Sequence, residues 1–448
     1  MTMLAAAPNS APSLAVGTHS LERLRLALLW LTAFSGAYVF IEPSPYEVVS
    51  LLTITVFAVT GLTLQAALMP LMLLLVLNNI GFSLAVIPLL GGETRPVTWV
   101  AVSWYMATTA VFFAAMLSTN TQARLNVLTR GYMVTATISA AVAVLAYFRL
   151  LPGADLFLRY ERAQGTFNDP NVFAAFLVFP SLLAWQRVLS GRASSVLWGG
   201  ALFALLTGAV LLSFSRGAWA QVAFGVLFLM FLSFITTPSI QERTRIIVIA
   251  IMGTLAVAAF IAALLSVDQV AALFKERASF EQSYDSGHTG RFGRHVLGAL
   301  LALEKPLGIG PLQFTKFFPE DPHNAYLNAF MSGGWIGGFS YLILVLITLI
   351  TGFRYVFAAT PWRKTYHVVF AAYVAVAGES LVIDSDHWRH YFLLLGVLWG
   401  LMAASRGYLA RPHGTCIQQE PYCPLHMAAG QRRRSRSLAE RGAARLAH

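Results

Sequence analysis

Charge is what this sequence has least of. Of 448 residues only 11% are charged and 57% are hydrophobic, whereas an ordinary soluble domain carries roughly 25% charge. A conventional water-soluble enzyme is excluded. Cysteine is nearly absent as well. The two present, Cys416 and Cys423, both lie near the C-terminus, so the core uses no disulfide. Acidic residues are outnumbered, 20 Asp plus Glu against 31 Lys plus Arg, for a formal charge of +11. Read as one sum, that excess suits a nucleic-acid partner. Its distribution argues otherwise: the stretch 410–448 holds seven Arg and two Glu, and the remainder falls mostly between apolar runs. Such placement orients a chain at an anionic membrane and needs no nucleic acid.

Long apolar runs are what the chain has in abundance. A span needs about 20 largely apolar residues, and such stretches recur from Leu24 to Leu401. Twelve helices are expected, near 24–41, 46–65, 67–90, 97–118, 131–150, 171–188, 193–213, 217–236, 244–266, 325–352, 366–384 and 390–407. The second and third are so close that they read either as a tight hairpin or as one broken helix. The fold class is therefore all-α, a polytopic membrane bundle of about twelve transmembrane helices. Arg23 and Arg25 precede the first run and many spans follow it, which makes it an ordinary first helix with no cleavable signal.

Basic residues set the sidedness, because short cytoplasmic loops retain Lys and Arg. With the N-terminus inside, the inner loops carry Arg23 and Arg25, Arg124 and Arg130, Arg187 and Arg192, Arg243 and Arg245, then Arg354, Arg363 and Lys364. Both termini are expected in the cytoplasm. The resulting organisation is an N-terminal segment 1–23, a transmembrane domain 24–407 containing a large outer loop 267–322, and a basic, disordered tail 408–448. The tail's His413, Cys416, Cys423 and His426 are metal-ligand types, but the Cys spacing matches no zinc motif. No metal is expected there.

Several outer charges are not explained by topology. The large loop holds Lys275, Arg277, Arg291, Arg294, Lys305 and Lys316, seven carboxylates from Asp268 to Asp321, and His288, His295 and His323. Any one of these can be plain solvation. Residues 291–303 read as an amphipathic helix at the outer interface, with Arg291, Arg294 and His295 on neighbouring positions and leucines free to rest on lipid or on the bundle. Lys305 to Pro311 then turns the chain, a Gly-rich turn without the strand or Lys of a nucleotide loop. Arg216 stands at an outer junction between spans, where it either snorkels to headgroups or clamps an anion through its guanidinium fork. Asp321-Pro322-His323-Asn324 opens the tenth span, with Asn324 or Asp321 as the cap. His323 at that mouth is either structural or a group that takes or orients a hydroxyl proton. Asp384, Asp386, His387, Arg389 and His390 form a further outer group without a defined metal pattern, read as a polar rim or substrate-binding edge.

The order of these local patterns resembles the superfamily of O-antigen ligases and of O-antigen and exopolysaccharide polymerases. The likeness rests on Gly165-Thr166-Phe167-Asn168-Asp169-Pro170-Asn171, Ser215-Arg216-Gly217-Ala218, Gly290-Arg291, Pro306-Leu307-Gly308-Ile309-Gly310 and Pro322-His323-Asn324, within roughly 160–345. As the resemblance implies, members take a glycan from an undecaprenyl diphosphate carrier at the periplasmic face of the inner membrane. Polymerases pass it to another lipid-linked repeat and ligases to lipid A-core. On that analogy Arg216 and Arg291 hold the diphosphate with Arg294 assisting, and His323 activates or aligns the acceptor hydroxyl. Asn171 and Asn324 contact sugar or headgroup, and Tyr160, Arg162 and Asp169 form the other wall. The implied enzyme is a metal-independent membrane glycosyltransferase without a cofactor, with membrane lipid and polysaccharide export or chain-length control proteins as further partners. Polymerase is preferred to ligase. A lipid or saccharide transporter is the rival from another class, against which stands the lack of an inverted repeat in the spacing.

Overall fold

A computed structural model describes residues 13–410 apart from 42, 190, 192, 267, 269–270 and 272–289. The expected charges from 275 to 288 and the Cys/His group of the tail lie outside the described residues. Thirteen α-helices are named here in chain order: α1 (Ser13–Ser35), α2 (Pro45–Gly61), α3 (Met69–Val86), α4 (Arg95–Leu117), α5 (Thr121–Tyr147), α6 (Pro170–Leu189), α7 (Ala193–Leu212), α8 (Arg216–Thr236), α9 (Ile240–Leu265), α10 (Arg291–Glu304), α11 (Ala325–Tyr355), α12 (Arg363–Glu379) and α13 (Arg389–Leu409). All but α10 fall on the twelve expected segments. Among the described residues nine helical stretches are long and apolar enough to cross a membrane by length and composition. The chain is an all-α polytopic membrane protein. α2 is apolar but short. α12 is the least apolar of the inner helices because neighbours cover it: twelve of its seventeen residues are buried, including His367 and Glu379.

Several expected boundaries shift, beginning with α1, which starts at Ser13, eleven residues early, and ends at Ser35. α5 begins ten residues early, at Thr121, and takes Arg124 and Arg130 out of the connecting loop into helix. Arg124 is buried and held by Glu22 and by the Met116 carbonyl, at 2.7 Å, so its charge is satisfied inside the helix end. Between α2 and α3 the chain is extended from 62 to 65 and then makes a short 3-10 turn, so these are two helices with a break. α12 stops at Glu379, leaving 380–388 as a connection.

Small residues set the closest crossings, as expected where lipid offers no hydrophobic drive between helices. α3 packs on α11 with Gly81 against Gly333 and Gly337, where any Cβ would strike backbone, and Asn78 donates to the Gly337 carbonyl at 2.8 Å. α4 lies along α13 through Ala110 and Ala114 facing Gly396 and Gly400. α11 is broken at Gly334 (φ 61°, ψ −161°), a conformation reserved for glycine. The Pro306–Gly310 turn fills this break. Ile309 N–H donates to the Met331 carbonyl at 2.8 Å, and Trp335 N–H donates to Pro306 at 2.9 Å. The motif is thus a backbone patch on a helix that cannot satisfy itself there.

The connections gather at two ends. At one, Val39 N–H bonds Thr166, Arg162 reaches Ser213, Ala325 reaches Ser380 and Arg389 pairs with Glu47. At the other, Arg25 reaches Thr60, Gln65 reaches Ser118 and Arg245 reaches Leu189. Among the described residues, the first end holds the motifs that carry the family resemblance.

Candidate active site

The entry to α11 is the centre of this end. Asn324 is the helix cap: its side chain accepts from Leu327 N–H at 3.0 Å, as Asn does at helix starts. Its own N–H donates to one oxygen of Asp384 at 2.9 Å. The other oxygen of that carboxylate stands 3.4 Å from Nδ1 of His323. His323 itself has φ 48°, in the left-handed region. Such a conformation is strained for a residue with a Cβ and persists only where surroundings enforce it. The ring remains 38% exposed, so solvent or a ligand reaches it.

Behind His323 lies a cavity of about 140 Å³ bounded by Trp99, Asp321, Asn328, Asp384, Asp386 and His387 among others. Asn328 donates to Asp386 at 2.8 Å, and Ser332 to Asn328 at 3.1 Å. Trp99 lies against His387 with ring centroids 3.9 Å apart. Partial burial, followed by the charge of Asp384, pushes the Asp321 carboxyl above its ordinary 3.8, while His323 opposes the shift.

α10 docks beside this entry through Arg294, Gly298 and Ala302, its buried face. Phe292, Val296, Leu300 and Leu303 point away, each more than half exposed. These four apolar residues are therefore on the outer side of the helix, while Leu301 and Ala302 pack inward with Phe314 and Leu327 and the arginine is inside. Arg294 is only 3% exposed and donates from Nη1 to Glu320 at 2.7 Å. Its Nε and Nη2 are buried without a hydrogen-bond partner among the described residues, donors of the kind an anion would satisfy. His295 meets the Pro322 carbonyl at 2.8 Å and so braces the turn that carries His323.

The other expected residues sit around this centre. Arg216 opens α8. Next to it Gly217 lies where the Glu379 carboxyl crosses, in space a Cβ would occupy, and Gln221 donates to the same carboxyl. Arg291 opens α10. Arg162 donates to the Ser213 carbonyl and to Asn171, both at 2.7 Å, tying the α6 start to the α7–α8 turn. Asp169 caps α6, accepting from Asn171 N–H at 2.7 Å and Val172 N–H at 3.3 Å. Tyr160 stands at the tip of a two-residue hairpin (β1, Leu158–Arg159; β2, Arg162–Ala163), 78% exposed, stacked with Arg159 and lining neither cavity at this end. A second cavity of about 200 Å³ lies between Asn168, Asp169 and the 387–390 turn, and His387 lines both.

Sequence reasoning missed the partners. Asp384 and Asp386 were visible as an outer acidic pair, but nothing in linear order assigns Asp384 to His323. Glu47, Glu379 and Trp99 carried no signal beyond being polar or aromatic at a span end. Among the described residues, no three His, Cys, Asp or Glu side chains converge as a metal-binding group.

No curated protein matches the chain. A family model described as O-Antigen ligase matches residues 201–342, a stretch that contains Arg216, Arg291, Arg294, His323 and Asn324 and leaves out Asp169, Asn171 and Asp384. Across 201–342 the chain therefore carries a domain of the O-antigen ligase family, the family that its motifs resemble.

Proposed function

We propose that this protein transfers undecaprenyl-diphosphate-linked oligosaccharide to a hydroxyl acceptor at the periplasmic face of the inner membrane, in surface polysaccharide assembly. The carrying observation is a histidine faced by a carboxylate, His323 and Asp384, beside the buried Arg294, with His323 and Arg294 inside the family match. Asp384 at Nδ1 leaves Nε2 for the acceptor. The acceptor oxygen forms its bond to the anomeric carbon as the bond from that carbon to the phosphate oxygen breaks. The electron pair leaves with undecaprenyl diphosphate, and the hydroxyl proton passes to His323. Attack opposite the leaving group inverts the anomeric centre. Arg216, Arg291 and Arg294 offset the charge that grows on the diphosphate, which accelerates transfer only as far as their contacts strengthen in the transition state. No step requires a metal. Asn171 and Asn324 act chiefly as supports, through Arg162 and as the α11 cap.

For the acceptor we place a second carrier-linked repeat first, making the protein a polymerase. The description of the matched family favours the other reading, a ligase that adds glycan to lipid A-core. The test is transfer in liposomes with labelled undecaprenyl diphosphate oligosaccharide, each acceptor in turn, and EDTA present. A ladder in repeat units identifies a polymerase and a single glycan on core a ligase. His323→Ala, Arg216→Ala and Arg291→Ala are each expected to abolish the product. Folded protein with native donor and acceptor but no product would overturn the reading in favour of a transporter.

A further inference from the structure

At the end of the bundle away from His323, the last turns of α6 and α8 and the first turns of α9 and α12 enclose a cavity of about 50 Å³. Its charged lining is Arg245 of α9, Arg363 and Lys364 of α12, and Glu242, so three cations stand against one carboxylate. Arg245 donates from Nη2 to the Leu189 carbonyl at 2.7 Å, a neutral partner that leaves its charge unmatched. The side chains of Arg363 and Lys364 form no hydrogen bond or ion pair among the described residues. The neighbouring Arg243 is used elsewhere, on the Thr237 carbonyl and the Phe234 ring, and His367 in the cavity wall holds the Val356 carbonyl at 2.9 Å. α12 adds the positive end of its dipole, since it starts at Arg363 with no carboxylate in its first turn and no side-chain cap from Trp362. The combination is one that an anion completes.

The surroundings say which anion. At about 50 Å³ the space is far below the roughly 300–1,000 Å³ of pockets that enclose a whole small molecule. It admits one compact charged group. Leading away from it along α9, Ile247, Val248, Ile251, Met252 and Leu255 are each about half exposed or more, an apolar surface suited to acyl chains. Trp198, near the start of α7, and Phe357, between α11 and α12, are exposed at the same end, as aromatic rings are at headgroup level.

We infer that this cavity holds the phosphate of an anionic membrane phospholipid, gripped by Arg363 and Lys364 of α12 and Arg245 of α9, with its acyl chains laid along α9. The headgroup links α12 to a helix that meets the bundle at Ile246 and where Gly253 packs on Trp185. On the orientation proposed above the site faces the cytoplasmic leaflet, whose anionic lipids attract basic residues beside spans. It lies apart from the glycan-transfer site and does not depend on that activity.

Native mass spectrometry of the detergent-solubilised full chain reads the first bound lipid directly, with dioleoyl phosphatidylglycerol, dioleoyl phosphatidylcholine and glycerol 3-phosphate as separate probes. Phosphatidylglycerol should bind about fivefold more tightly than phosphatidylcholine, the worth of one net charge near the surface. The double variant Arg363→Gln/Lys364→Gln should weaken it about twentyfold, roughly fivefold for each charge removed. Arg354→Gln/Arg406→Gln removes two exposed cations near the ends of α11 and α13 that do not line the cavity, and should leave binding unchanged. Variants are compared at matched thermal unfolding without lipid, and Ser233→Phe, which fills the cavity from α8, replaces the first double variant if that unfolds. Equal losses in the two double variants would reduce the site to a general basic surface and overturn it, as would equal binding by wild type and the folded cavity variant. Glycerol 3-phosphate bound as tightly as the lipid would make the ligand a free phosphate ester and sink the lipid assignment. Equal binding of the two lipids would overturn the requirement for net negative charge.

Discussion

His323 faces Asp384 with 3.4 Å between Nδ1 and Oδ2. The same carboxylate accepts the Asn324 N–H, so one side chain from the α12–α13 connection holds both the ring and the helix start that presents it. Its two tasks separate by substitution. Asp384→Asn keeps an oxygen for Asn324 and loses the charge facing the imidazole. Glycan transfer is expected to fall about 10²-fold in kcat, with donor KM and thermal stability little changed. Asp384→Ala should add a stability loss of about 1 kcal/mol. Steady-state kinetics beside thermal unfolding would check both, and an unchanged kcat in Asp384→Asn would remove the pairing from the mechanism.

Arg294 and Glu320 form an unequal pair. The arginine side chain is 3% exposed and the glutamate 56%, so the glutamate is the dispensable partner. Glu320→Gln should leave transfer within about twofold, the range expected of a weak exposed pair. Arg294→Lys loses the planar fork and two buried donors, and donor KM should rise roughly tenfold, as for about 1.4 kcal/mol of lost binding. Equal effects of the two substitutions would mean that the ion pair, and not the free donors, is what matters.

Gly334 lies at φ 61° and ψ −161° with the Pro306–Gly308 backbone against it. Gly334→Ala should destabilise the protein by about 1–3 kcal/mol from backbone strain alone. A lowered unfolding temperature in detergent is the readout. Gly378, beside which nothing lies within 4 Å, supplies the control, and Gly378→Ala should be close to neutral.

Asp321 carries a raised pKa, through partial burial and then the charge of Asp384. A carboxyl with a folded-state pKa above the unfolded value of 3.8 binds its proton more tightly when folded. Its contribution to stability therefore grows as pH falls through the folded pKa towards 3.8 and is lost as pH rises. Comparing unfolding of wild type and Asp321→Asn across that window should show this component missing from the variant. A wild-type component of opposite sign would contradict the local electrostatics.

Much of this end of the molecule is legible in linear order, and the reason is chemical. Apolar length marks helices because a membrane demands internally satisfied backbone, and twelve of the expected segments carry them. The stretch 291–303 reads correctly as a helix from its spacing. Which of its faces meets the protein does not, since leucines suit lipid and core alike, and here Leu300 and Leu303 point outward while Leu301 packs inward and Arg294 is buried. Asn324 shows the converse. Its cap role is local, fixed within three residues: the sequence narrows the cap to Asn324 or Asp321, and the structure selects Asn324.

The sequence by itself determined the class of the protein, a polytopic all-α membrane chain, and the identity of the family motifs, because hydropathy and short-range spacing are properties of adjacent residues. Only the tertiary structure decided the pairings: Asp384 with His323, Glu47 with Arg389, Glu379 over Gly217, and the Pro306–Gly310 turn in the break of α11. Each joins groups that lie apart in sequence, at helix ends and connections of one end of the bundle. Their meeting depends on helix order and crossing, set by contacts such as Gly81 on Gly337. No local pattern encodes such a contact, since a small residue in a span is compatible with many neighbours until packing selects one.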